Sequence, residues 1–329
     1  MNKLIFLIIF LLFAVSCFSS DLSELRKKAD EGGVIAQFNL GWMYANGKEV
    51  TKDLKEAEKW YKKSADGGYG LAKISLRDLY AEIGELYATG KEFEKNPAES
   101  EKYFRKSAQD GNLTAQCNLG KILSERKARK QDLKEASQWL LKAAKNGDKN
   151  AQFNLGEMYY FGEGVQADAA SAAEWFLKAA RNGHVKAQFK IGNMFAEGKG
   201  VEKNCEEAEK WLMQASQQGF PDAQCKLGEM FYFGDGIKQD YQKAAKWLLK
   251  AGENDQSEAQ FHLGKMYSEG LGVSRDYEQS CFWYLLARAN GDELAGKSIE
   301  ILEKKMTFQQ IQRSHNSAQS WLSQRSRSN

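Results

Sequence analysis

Residues 151–184 read AQFNLGEMYYFGEGVQADAASAAEWFLKAARNGH, and variants of this stretch recur along most of the 329-residue chain. Its Gly156 has equivalents at Gly41, Gly84, Gly120, Gly192, Gly228 and Gly264, with a spacing of 43 once and then 36 five times. A register held over seven copies identifies a repeat architecture, in which each copy buries its apolar face only against its neighbours. Ala151, Leu155, Gly156 and Tyr159 fall at i, i+4, i+5 and i+8, one face of a first helix. Gly162 and Gly164 then break that helix. Asp168 stands where a second helix needs its N-cap, and the equivalents Asp53, Asn96, Asp132, Asn204, Asp240 and Asp276 are all Asp or Asn. Their side-chain oxygens suit the orphan N–H groups of a first turn. Pro97, directly after Asn96, fits the first helical position. Ala172, Trp175 and Ala179 mark the expected buried face of the second helix, and Gly183 fits its C′ position. Tryptophan recurs at the Trp175 position as Trp60, Trp139, Trp211, Trp247 and Trp283, with Tyr103 in the remaining repeat.

These residues resemble the Sel1-like repeat family, a relative of the tetratricopeptide repeats. Its pattern is A-x-x-x-L-G-x-x-Y-x-x-G-x-G-V, followed by K-A-x-x-W-x-x-K-A-A-x-x-G. The resemblance runs over about residues 22 to 322. It implies an all-α fold, an α/α superhelical solenoid of antiparallel helix pairs with a 36-residue repeat. Two repeats depart from the pattern. The second has seven extra residues between Ala72 and Gly84, nearly two helical turns, which lengthen the helix by about 10 Å and preserve its face. Leu76, Leu79, Tyr80, Ile83 and Tyr87 continue one apolar stripe through the insertion. The third repeat has Leu123 for the tyrosine and Arg126 for the loop glycine, followed by KARK, so an irregular turn is expected. That basic run suits either an anionic group or, the preferred reading, a solvated loop.

The expected organisation is a signal peptide over residues 1–16, a linker and capping half-repeat over 17–34, and seven repeats over 35–294. Capping helices over 295–322 and a disordered polar tail over 323–329 complete it. Lys3 followed by the apolar run Leu4 to Val15 has the form of an export signal. Its twelve residues make a helix of roughly 18 Å, too short to cross a hydrocarbon core of about 30 Å. Ala14-Val15-Ser16-Cys17 resembles a bacterial lipobox, which would leave Cys17 as a diacylated N-terminus; ordinary cleavage after Ser16 or Ser19 is the competing reading. The expected location is therefore the periplasm, cell envelope or exterior, with membrane attachment only through that lipid.

Composition narrows the function. Lys and Arg number 47 against 44 Asp and Glu, interspersed, so no basic stripe suits nucleic acid. There are only three histidines, His184, His262 and His315, the first two have no ligand at i+3 or i+4 that suggests a metal, and no metal or cofactor is expected. The GxGV loops lack the preceding strand and the lysine of a nucleotide-binding loop. No catalytic constellation is present, so a non-enzymatic protein is expected. Cys117, Cys205, Cys225 and Cys281 read as four small buried thiols, with a disulfide open in an oxidising compartment. Asn112-Leu113-Thr114 is a glycosylation sequon, meaningful in a eukaryotic source.

Near the turn, Tyr160-Phe161 and Tyr232-Phe233 stand where other repeats carry Ala-Asn, Ala-Glu or Ser-Glu. Aromatic side chains dominate interface energetics, so these four, followed by Trp42, are the expected anchors for a protein or peptide partner in the superhelix groove. Packing against the adjacent repeat's loop is the alternative for the same residues. Recognition or hydrolysis of a cell-wall or β-lactam compound, a property of some secreted relatives, is the second functional reading, although no nucleophile can be named for it.

Overall fold

The second helix of each repeat needs an apolar residue wherever the first helix presents its glycine, and this requirement organises the packing. The computed structural model describes residues 22–126 and 129–326, and the regular elements among them are 17 α-helices. The chain divides into two units, ending at Asn146 and beginning at Gly147. In the first unit α1 (Leu22–Asp30) precedes the pairs α2 (Val34–Asn46) with α3 (Leu54–Asp66), α4 (Gly70–Thr89) with α5 (Pro97–Gln109), and α6 (Leu113–Glu125) with α7 (Lys130–Lys145). The second unit pairs α8 (Lys149–Phe161) with α9 (Ala169–Arg181), and α10 (Val185–Glu197) with α11 (Cys205–Gln217). It continues with α12 (Pro221–Phe233) on α13 (Tyr241–Gly252) and α14 (Ser257–Glu269) on α15 (Tyr277–Ala289). Two closing helices follow, α16 (Glu293–Glu303) and α17 (Phe308–Ser326), both packed on α15.

Within each pair the repeat glycine lies against a second-helix residue twenty positions later: Gly41 against Tyr61, Gly84 against Phe104, Gly120 against Leu140, Gly192 against Leu212, Gly228 against Leu248. In three repeats this moves the core by one residue from the sequence expectation, whereas Trp60, Trp247 and Trp283 are buried as expected. Trp175, like Trp139 and Trp211, is half-buried, while Phe176, Leu140 and Leu212 beside them are fully buried. At two of these a lysine three residues after the tryptophan covers its exposed face, Lys178 at 4.2 Å from the Trp175 ring and Lys142 at 4.1 Å from Trp139.

Neighbouring repeats are joined by a residue that the apolar pattern does not reveal. A buried glutamine four positions before the repeat glycine donates through Nε2 to a carbonyl in the last turn of the preceding second helix. Gln37 reaches Ala29 (3.0 Å), Gln116 reaches Ala108 (3.1 Å), Gln224 reaches Ser216 (3.1 Å) and Gln260 reaches Gly252 (2.8 Å). Each of these carbonyls also accepts from the backbone N–H three residues later, at 3.1–3.2 Å, so the glutamine is its second donor and the one that comes from the next repeat. In the second repeat Tyr80 occupies the glutamine position and is buried.

The turns follow the glycines. Gly162, Gly198, Gly234 and Gly270 adopt left-handed φ of 72°, 73°, 71° and 77°, where only a residue without Cβ is unstrained. The second glycine also passes close to the previous repeat: a Cβ on Gly200 would meet Ala169 O at 2.2 Å, and one on Gly272 would meet Tyr241 O at 2.2 Å. Asp53, Asn96, Asp168, Asn204, Asp240 and Asp276 accept from first-turn N–H groups, as expected. Asp132 does not. There α7 starts at Lys130, behind an Arg129 N-cap, so Asp132 falls inside the first turn and its buried Oδ2 has no hydrogen-bond partner. The cause is the missing loop glycine: Arg126 ends α6 at φ −84° and turns instead to Glu101, 2.5 Å away.

The insertion in the second repeat extends one continuous helix, α4, to 20 residues against 13 for α2. Its Leu79, Tyr80 and Ile83 are buried. At the C-terminus, residues 323–326 of the expected disordered tail are helical, since α17 runs to Ser326. Arg325 lies 4.9 Å from the Trp321 ring and pairs with Asp255 and the Glu253 carbonyl, which holds the last turn down. The expected signal peptide, Cys17, Lys127, Ala128 and residues 327–329 lie outside the described residues. Among the described residues no helix is long and apolar enough to cross a membrane.

Candidate partner-binding surface

The five expected anchors separate by burial. Phe161 and Phe233, each the last residue of a first helix, are 58% and 60% exposed. The tyrosines before them turn inward: Tyr160 is half-buried and Tyr232 is only 5% exposed, which removes Tyr232 from the contact surface and makes it a support. In both pairs the tyrosine stands edge-on to the phenylalanine, with centroids 5.0 Å and 4.9 Å apart at 79° and 84°. That is the favoured arrangement for two aromatic quadrupoles, and it stiffens an otherwise free side chain. Trp42 belongs to the first unit, where it is half-buried and packs on the cluster formed by Phe38, Leu54 and Tyr61.

Each pair is completed by the following repeat, from its first helix and the turn after it. Lys199 donates to the Tyr160 hydroxyl at 2.6 Å with its ammonium 3.9 Å from the ring centroid, and Lys190 lies 5.9 Å from the Phe161 ring. At the second pair the position of Lys190 is taken by His262, 5.1 Å from the Tyr232 ring and 5.5 Å from Phe233. His262 faces Glu229 at 3.6 Å, and Lys265 lies 5.9 Å from Tyr232. Burial pushes the Tyr232 hydroxyl pKa up, Lys265 opposing. The sequence reading missed these flanking groups; for Lys190 and His262 the signal was their place two residues before the repeat glycine, while Lys199 and Lys265 stand seven residues and one residue after it.

Away from this surface, Arg105 bridges Glu101 at 2.9 Å and Glu135, and its hydrogen bond holds the Glu135 carboxyl below its ordinary range. The cysteines at 117, 225 and 281 are buried and Cys205 is half-buried; none of these four is in a disulfide. Burial raises Cys225 to about 12 and Cys281 to about 11, so neither is a thiolate near neutrality.

A sequence model of the Sel1 repeat matches residues 34–69, 79–112, 113–148, 149–184, 185–220, 221–256 and 257–292. The chain is a Sel1-repeat protein. Among solved structures, it is similar to a Sel1 repeat protein from Oxalobacter formigenes, with 32% identity over 87% of this chain and 83% of that one and a TM-score of 0.64. It also resembles a protective antigen present in uropathogenic Escherichia coli strains (24% identity, 93% and 95% coverage, TM-score 0.43). A third likeness is to an immunity protein from Pseudomonas aeruginosa (18% identity, 70% and 80% coverage, TM-score 0.40). No curated protein matches the chain. Sel1 repeats commonly serve as protein-interaction scaffolds, and proteins built from them are typically non-enzymatic.

Proposed function

We propose that this Sel1-repeat protein is an exported, non-enzymatic scaffold that holds a protein or peptide partner at the C-terminal ends of first helices in its second unit. The observation that carries the reading is the exposure of Phe161 and Phe233 at equivalent positions two repeats apart, each braced by an edge-on tyrosine. A braced aromatic ring loses little entropy on docking, so its apolar area is available to stabilise a complex. Lys190, Lys199 and Lys265 beside the rings favour a partner segment that presents apolar side chains next to carboxylates. Export rests on the charged and apolar pattern of residues 1–16, and lipid attachment on Cys17.

The test is a photo-crosslinking side chain placed at position 161 or at 233 of the full chain in a native envelope fraction. One partner trapped from both positions is expected. That partner should be lost from a Phe161→Ala/Phe233→Ala chain of native helicity and retained by Phe308→Ala, which removes a ring that is 72% exposed on α17. Equal capture by all three chains sinks the proposal.

A further inference from the structure

Three consecutive helices bring a thiol, a carboxylate and an imidazole together at the C-terminal end of the second unit. Cys281 lies on α15, Glu303 ends α16 and His315 lies in the middle of α17. One donor atom from each falls within 4.8 Å of the other two. The His315 Nε2 and a Glu303 carboxylate oxygen are already 2.9 Å apart. Two donors on one tetrahedral zinc ion stand about 3.3–3.8 Å apart, given metal–ligand distances of about 2.0–2.3 Å. Side-chain movements of about 1 Å therefore convert the cluster into a coordination set.

We propose that Cys281, Glu303 and His315 form a binding site for a divalent cation of the zinc class, which ties α15, α16 and α17 together at the end of the repeat array. The donor set is mixed sulfur, nitrogen and oxygen, the combination that selects a borderline-soft ion over magnesium or calcium. Burial is graded from the buried Cys281 through the half-buried Glu303 to the exposed His315, which provides an entry path. His315 also lines an open cleft of about 700 Å³ with Leu285, Arg288, Ala318 and Leu322. Three protein ligands with one position open is the arrangement of zinc sites that accept an exogenous ligand. A second cluster, Cys225, Glu229 and Glu258, has no nitrogen donor, and its Glu229 already faces His262 and Lys226. It is the weaker site.

Titration of the full-length, untagged and reduced chain with Co²⁺ tests this, because a cobalt–thiolate bond gives a charge-transfer band that carboxylates and imidazoles alone do not. One equivalent bound with that band, displaced by Zn²⁺, is expected. Cys281→Ser should abolish the band and Cys225→Ser should leave it. Should Cys281→Ser lose helicity, the exposed-face variants Glu303→Gln and His315→Gln decide, each weakening binding by about tenfold or more. Absence of the band from the native chain overturns the site and leaves His315–Glu303 as a surface hydrogen bond. A band that persists in Cys281→Ser, or unchanged affinity in both exposed-face variants, overturns it equally.

Discussion

The Cβ that Gly156 lacks would stand 2.7 Å from Cδ1 of Phe176, a residue with no exposed surface. Helix propensity favours alanine over glycine by about 1 kcal/mol, whereas forcing a methyl into a packed core costs about 1–3 kcal/mol. The overpacking wins here because the opposing atoms belong to a rigid, fully buried ring. Gly156→Ala should therefore lower stability by about 1 kcal/mol, read as a lower urea midpoint at unchanged slope. Gly296→Ala is the control: it is also helical, but a Cβ there meets only Arg288 Cδ at 4.0 Å, so it should stabilise by about 0.5–1 kcal/mol.

The glutamine bridge predicts an effect at a polar position. Gln260 is fully buried, donates to Gly252 O at 2.8 Å and accepts from Asn290 Nδ2 at 3.0 Å. Gln260→Leu preserves volume but removes both bonds; Gly252 O keeps the bond from the Asp255 N–H at 3.1 Å, so the cost should be that of lost hydrogen bonds, about 0.5–1.5 kcal/mol. Amide exchange in the last turn of α13 and the first turns of α14 should accelerate together. Exchange that quickens only in α14 would show that the glutamine does not couple the repeats.

Two aspartates at equivalent repeat positions should respond differently. Asp276 accepts from the N–H groups of Glu278 and Gln279, so Asp276→Ala should cost about 1 kcal/mol. Asp132 caps nothing and contributes only through the helix dipole, so Asp132→Ala should cost about 0.5 kcal/mol or less. Thermal unfolding of the two variants compares them directly.

His184 makes stability depend on pH. Its ring stacks on Phe153 at 4.4 Å, and Nδ1 accepts from the Ala187 N–H at 3.2 Å, which requires the neutral ring. Burial, then Lys149 and Lys186, hold its pKa below the ordinary 6.5, with Asp148 opposing. The unfolded chain thus binds the proton more readily than the folded one. The contribution of His184 is complete above pH 6.5 and declines as pH falls from there through the lowered value. Asparagine keeps an N-cap acceptor without a titrating group. Urea midpoints for His184→Asn should fall less than those of the native chain between pH 6.5 and 5; parallel curves would exclude the histidine as the source.

Much of the fold was readable because a solenoid is local: the glycine register, the helical apolar spacing and the Asp or Asn caps each act within a repeat or across one junction. Reading failed where a local signal was itself altered. Without a loop glycine at Arg126, the third turn reorganised and carried Asp132 out of its capping role. The Cys281, Glu303 and His315 cluster was invisible for the opposite reason, since Glu303 and His315 lie on the closing helices beyond the seven repeats, where no repeat register aligns them with Cys281.

The amino-acid pattern alone determined the helix pairs, their period and the longer α4, because backbone propensity and side-chain periodicity act over a few residues. Tertiary structure alone decided which aromatic faces solvent. Tyr160-Phe161 and Tyr232-Phe233 are the same dipeptide at the same repeat position. Yet Tyr232 is covered by Tyr241 at 5.5 Å and His262 at 5.1 Å, where the first pair has the small Ala169 and the flexible Lys190. Exposure belongs to the neighbours that close over a side chain, and those neighbours lie on other helices.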